Sequence, residues 1–137
     1  MATHSKMIDF YIKEKICPDE VKVILSGLFR CTSDKILVLP LEEFNEIILL
    51  KQGFDEMVCL CTYIETNGDA ALLLQLYRYE MSDDDLLKNL VNFSRNSHFS
   101  FYFPFDDFDG WIWIQDGHTH VGKELETEKE RCFLFSR

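Results

Sequence analysis

Residues 99–123 read FSFYFPFDDFDGWIWIQDGHTHVGK, and the periodicity of this stretch decides the fold class. Phe99, Phe101, Phe103 and Phe105 alternate with Ser100, Tyr102 and Pro104, the period of two that turns successive side chains to opposite faces of a strand. Pro104 brings no backbone N–H to a ladder, so the strand lies at a sheet edge or ends there. Asp106-Asp107-Phe108-Asp109-Gly110 reads as a turn and Trp111 to Gln115 as a second strand. Asp116-Gly117 reads as a two-residue hairpin turn, and His118 to about Leu125 as its return strand. Trp111 and Trp113 share one face and Ile112 and Ile114 the other. The isoleucine face is expected to point into the core.

Outward from this stretch, the period changes. Ser82 stands before Asp83, Asp84 and Asp85, a hydroxyl acceptor at an N-cap with carboxylates in the first turn, and Leu86, Leu87, Leu90 and Val91 supply a buried stripe; a helix is predicted over about 82–95. Met57 to Ile64 and Ala70 to Tyr79 flank Glu65-Thr66-Asn67-Gly68-Asp69, so an antiparallel pair is expected near the sheet centre. The consecutive Leu72, Leu73 and Leu74 imply burial on both faces of that strand. Pro18, the acids Asp19 and Glu20, and Val21, Ile24, Leu25 and Leu28 at helical spacing predict a helix over about 18–29. Met7 to Ile16 reads as a first strand, Lys35 to Leu39 as a short apolar run closed by Pro40, residues 41–52 as another helix, and Cys132 to Phe135 as a closing strand. Glu124 to Arg131 is a charged, solvated run. The sum is an α+β chain: a mostly antiparallel sheet of six to eight strands with about three helices packed on it. Its topology does not follow from the sequence.

The 137 residues suit one globular domain spanning 1–137. Apolar residues make up 47%, too many for a disordered acidic tail, so the charge is mounted on a folded body. That charge is lopsided. Residues 1–53 carry 8 acids against 7 Lys/Arg, and residues 54–137 carry 16 against 7. A sequence pI near 4.7 argues against nucleic acid and anionic membranes as partners, since like charges repel. The first seven residues lack a basic start and an apolar run, and no apolar stretch approaches the roughly 20 residues of a membrane helix, so a cytoplasmic protein is expected. Five cysteines, mostly in apolar runs, read as reduced core residues.

Catalytic signatures are lacking: there is no Gly-x-Ser-x-Gly, no phosphate-cradling glycine loop and no His-Glu-x-x-His, and an enzyme is not expected. Cys59-x-Cys61 and His118-x-His120 each put two metal-ligand types on one strand face, and neighbouring hairpins would assemble four ligands. The setting of Val58, Leu60 and Tyr63 instead marks the cysteines as core, so neither metal nor other cofactor is expected. Asp83–Asp85 are accounted for as helix capping. Asp106, Asp107 and Asp109 are not, because a turn needs one or two such residues. With Tyr102, Trp111, Trp113 and Asp116, and with Glu124 and Glu126 on and beyond the return strand, they form the candidate partner-binding patch. Carboxylates would steer a basic partner and aromatic rings would anchor it.

The Phe99–Lys123 stretch, aromatic strands alternating with acidic turns in an α+β chain without catalytic motifs, resembles the immunity proteins of bacterial contact-dependent growth-inhibition and related polymorphic toxin systems. The resemblance implies a small cytosolic monomer that binds one cognate toxin domain, a nuclease in many such pairs, and occludes its basic substrate cleft. Type III secretion chaperones are the main alternative, and a small enzyme of unknown type is the other. They too are small acidic α+β proteins, but they close with a long amphipathic helix where this sequence has a strand-like end.

Overall fold

The computed structural model describes residues 7–43, 58–77, 79–104, 110–125 and 132–135. Its strands are β1 (Met7–Ile12), β2 (Ile36–Pro40), β3 (Cys59–Glu65), β4 (Asn67–Gly68), β5 (Leu72–Tyr77), β6 (Phe101–Pro104), β7 (Gly110–Gln115), β8 (His118–Leu125) and β9 (Cys132–Phe135). The helices α1 (Pro18–Phe29) and α2 (Asp83–Arg95) follow β1 and β5. Seven strands in the order β2-β3-β5-β1-β6-β7-β8 make the main sheet, and β9 and β4 extend it. Within the seven, β2 and β3 run parallel and every other neighbouring pair is antiparallel. The chain is therefore α+β, with the expected kind of sheet.

Both helices begin and end where local chemistry dictates. At α1 the extended Cys17 precedes Pro18, and the Glu20 carboxylate reaches back to the Cys17 N–H at 3.5 Å. A proline at N1 surrenders no helical bond. Arg30 then adopts a left-handed conformation, φ 54°, and Cys31 N–H donates to Ser26 C=O at 3.0 Å. At α2 the Ser82 hydroxyl accepts from Asp85 N–H at 3.1 Å, the capping bond expected of it. The second predicted helix, 41–52, lies outside the described residues beyond its first turn at 41–43.

The two sheet faces have different cores. On the first, Phe10, Ile12, Leu72, Leu74, Leu76, Phe101, Phe103, Ile112 and Ile114 meet Val21, Ile24, Leu25 and Leu28 of α1 and Leu86 and Leu90 of α2. Ile112 and Ile114 thus point into the core as predicted. The helices approach closely at Gly27, where an added Cβ would stand 3.3 Å from the Phe93 ring. Asn89 Nδ2 bonds Leu28 C=O at 2.8 Å and ties the pair. On the second face, Tyr11, Ala70, Leu73 and Tyr102 form a smaller cluster with Ile64, Trp111 and Trp113 packed against it. Leu73 and its neighbours Leu72 and Leu74 fall on opposite faces, as three consecutive leucines implied.

Several boundaries differ from the expectation. β1 stops at Ile12 because the chain turns to cross β6, with Lys13 N–H donating to Ser100 C=O at 3.0 Å and Ser100 N–H donating to the Glu14 carboxylate at 2.8 Å. The β3–β5 pair is antiparallel as expected but stands second and third in the strand order rather than at its centre, and Asn67-Gly68 does not form a tight turn. The connection runs from Thr66 to Ala71, pinned by Thr66 Oγ1 on Ala70 C=O at 2.8 Å, and Asn67 and Gly68 pair in parallel with Cys132 and Phe133. β6 is not an edge strand, since β1 and β7 flank it; it ends at Pro104.

That parallel pairing joins β9 to the β3–β5 connection. β9 pairs with β8 through Glu124↔Phe135 and Leu125↔Leu134, and with β4 through Asn67↔Cys132 and Gly68↔Phe133. β4 lies within the β3–β5 connection, so β9 links the β8 side of the sheet to that connection.

Candidate functional site

Strand register assembles one row across the second face. Ile64, Leu73, Tyr11, Tyr102, Trp113 and His120 are successive Cα partners on β3, β5, β1, β6, β7 and β8. Directly opposed residues of neighbouring strands bring their Cβ atoms within about 5.5 Å, so the row is continuous. Trp113 and His120 have ring centroids 5.5 Å apart, and Tyr11 meets Trp111 of the next row at 5.1 Å. Gly122 opposes Trp111 on β8. A third row is polar: Thr62 Oγ1 donates to Gln75 Oε1 at 3.1 Å, and Gln75 hydrogen-bonds Asp9. Asp9 keeps much of its surface in water, yet the surrounding sheet still desolvates its carboxyl and raises it above the usual range, while the Gln75 bond offsets part of the rise.

The candidate residues fall into distinct places. Trp111 and Trp113 are half-buried. Tyr102 is 1% exposed and is corrected from a surface contact to an interior residue, because it clusters with Tyr11, Ala70 and Leu73, against which Ile64, Trp111 and Trp113 pack. Asp116 belongs to the opposite end of β7 from the 105–109 connection, which leaves at Pro104 and returns at Gly110. The six residues of β7 separate those ends by roughly 17–20 Å, so Asp116 is not contiguous with that connection. Asp106, Asp107, Asp109 and Glu126 lie outside the described residues. The Glu124 backbone, one residue beyond the Gly110↔Lys123 pair, is at the same end as the connection and Trp111. The register thus gathers the anchors of the acidic connection, Trp111 and Glu124 at one end of the β6–β7–β8 meander.

Asp116 has a structural role of its own. With Gly117 it forms the expected two-residue turn, φ 52° and 78°, the positive values of a type I′ hairpin. Gly117 N–H donates to Ser94 Oγ at 2.9 Å, and a Cβ on Gly117 would stand 2.6 Å from Arg95 Nε. The hairpin is docked on the last turn of α2.

The two possible metal pairs are far apart. Four strands separate β3, with Cys59 and Cys61, from β8, with His118 and His120, about 24 Å measured along the sheet. The cysteines also face the helices while the histidines are exposed. Burial pushes the Cys59 thiol up to about 12, and Cys61 rises well above the ordinary thiol range for the same reason. Neither can serve as a ready nucleophile at neutral pH.

Sequence reasoning did not single out Tyr11 or His120 as members of the row. The alternation Asp9, Tyr11 against Phe10, Ile12 was visible, but nothing local placed β1 beside β6. Among the described residues, no helix is long and apolar enough to cross a membrane. No protein-family model matches the chain, and neither a curated protein nor a solved structure shows significant similarity to it.

Proposed function

We propose that this chain is a binding protein of the immunity type, which captures and neutralises a cognate, positively charged toxin domain, a nuclease being the favoured target. The observation that carries the reading is the charge asymmetry: 16 acids against 7 Lys/Arg in residues 54–137, on the part of the chain that supplies the β6–β7–β8 meander. The partner meets the end of that meander where the Asp106, Asp107 and Asp109 connection is anchored. The half-exposed Trp111 and Trp113 supply the apolar contact there, and Tyr102 supports them from inside. Carboxylates stand in the toxin cleft where nucleic-acid phosphates would lie. The protein acts without catalysis, in the cytoplasm, as a monomer in a one-to-one complex.

Long-range attraction raises association rates and is screened by salt, whereas buried aromatic contacts are not. The test looks for a basic toxin domain in the neighbouring coding region, whose absence counts against the reading, and follows its association with this chain by stopped-flow fluorescence. The rate should fall at least about tenfold between low and high ionic strength. Changing Asp106, Asp107 and Asp109 together to Asn should lower the low-salt rate. A rate indifferent to salt rejects the reading, and an obligate dimer in light scattering favours the chaperone alternative.

A further inference from the structure

We infer that Asp9 and the Tyr11–Trp111 ring pair form an arginine-accepting subsite on the second face, which receives a guanidinium of the basic partner. The inference rests on the binding reading above and names one group the partner must bring. Asp9 and Gln75 are Cα partners, as are Gln75 and Thr62. Two residues on from the Tyr11↔Tyr102 pair, Asp9 comes level with Pro104, the partner of Trp111, so the polar row runs on into that of Trp111. The Tyr11 and Trp111 rings meet at 5.1 Å although β1 and β7 lie two strand spacings apart, about 9.6 Å, so the indole reaches across β6 toward β1. An acid and two rings therefore share one corner of the face.

The carboxylate is oriented from within the sheet. Thr62, completely buried, donates to Gln75 Oε1 at 3.1 Å, which leaves the Gln75 amide N–H to donate to Asp9. Asp9 itself stays exposed, so the N–H groups of a ligand can reach it. Among the described residues of β3, β5, β1, β6 and β7, Asp9 is the one charged side chain on this face. Partial burial makes its ionised form costly to the fold at pH 7, and a charge that weakens the fold yet is held by a built relay marks a binding role. A bound cation offsets that cost. Guanidinium suits the corner better than ammonium, because its planar fork matches a carboxylate while its flat face lies on an aromatic ring. The net charge of −10 on the chain favours the same sign of partner.

The experiment titrates the isotope-labelled full chain with the peptide acetyl-Gly-Arg-Gly-amide at low ionic strength, read by NMR. The Gln75 side-chain amide and the Trp111 indole N–H should shift together and saturably. Asp9→Asn, which keeps the shape of the side chain and should fold at least as well as the parent, should weaken the peptide at least about fivefold. Asp84→Asn is the control, an equal loss of charge on the exposed first turn of α2, and should leave the affinity within about twofold. Acetyl-Gly-Lys-Gly-amide should bind at least about threefold more weakly than the arginine peptide. No shift at Gln75 and Trp111, or equal weakening by the two variants, overturns the subsite, and equal affinity for the lysine peptide overturns the choice of arginine. If Asp9→Asn leaves peptide binding unchanged while toxin association still depends on salt, the subsite falls and the proposed function stands. The reverse pair of results rejects the function and keeps the subsite.

Discussion

Removing one hydroxyl tests how the β7–β8 hairpin is held. Ser94 is completely buried on α2; its Oγ donates to Val91 C=O at 2.8 Å and accepts from Gly117 N–H at 2.9 Å. Ser94→Ala deletes both bonds. The first is internal to the helix and its loss is offset by the better helix propensity of Ala, about 0.5 kcal/mol. The second leaves the half-buried Gly117 donor without its acceptor, which costs about 1–3 kcal/mol. The net expectation is a loss of about 1–2 kcal/mol, or a Tm lower by roughly 3–8 °C for a domain of this size. Urea unfolding supplies the free energy, and hydrogen exchange at Gly117 supplies the locus. Ser26→Ala is the control: that hydroxyl bonds only Val23 C=O of its own helix, at 2.9 Å, so stability should stay within about 0.5 kcal/mol of the parent. If Ser94→Ala costs no more than the control and Gly117 exchange is unchanged, the docking argument is refuted.

Asp9 and the buried thiols give further expectations. Desolvation raises the folded-state Asp9 carboxyl above 3.8, so its contribution favours folding below the ordinary carboxylate range and declines as pH rises through the raised value. Asp9→Asn should remove that decline and increase stability at pH 7, measured as the urea midpoint from pH 3 to 7; an unchanged pH profile contradicts it. With Cys59 at about 12, only about one thiol in 10⁴ is ionised at pH 8, so Cys59 and Cys61 should react with a disulfide reagent only after unfolding. The exposed Cys17 should react at once, and rapid labelling of Cys59 in the native protein would show the β3 core to be open.

The local rules written into the chain carried far because each element obeys its own neighbours. Pro18 with Asp19 and Glu20, Ser82 with Asp85, and Asp116-Gly117 with its two positive φ values settle where elements start and turn through bonds a few residues long. Alternation in 99–103 and 111–114 likewise told which residues share a face, and Ile112 and Ile114 lie inward as that pattern required. Where the helices gave no guidance the reading was weaker. Tyr102 looked like a surface anchor because its own strand cannot reveal what closes over it, and the Asn67-Gly68 pair looked like a turn because its partner lies 65 residues away, at Cys132 and Phe133.

From the sequence by itself come the α+β class, the positions of α1, α2 and the β7–β8 hairpin, the two apolar faces of the Leu72–Leu74 strand and the concentration of acid in residues 54–137. All of these depend on composition or on short-range geometry. Only the tertiary structure decided that β1 lies between β5 and β6, that Tyr11, Tyr102 and Trp113 form one row, that Asp116 sits far from the 105–109 connection, and that β9 pairs with β4. Strand pairing over long chain separations is chosen by the burial it achieves for the whole domain, and no window of residues contains that information.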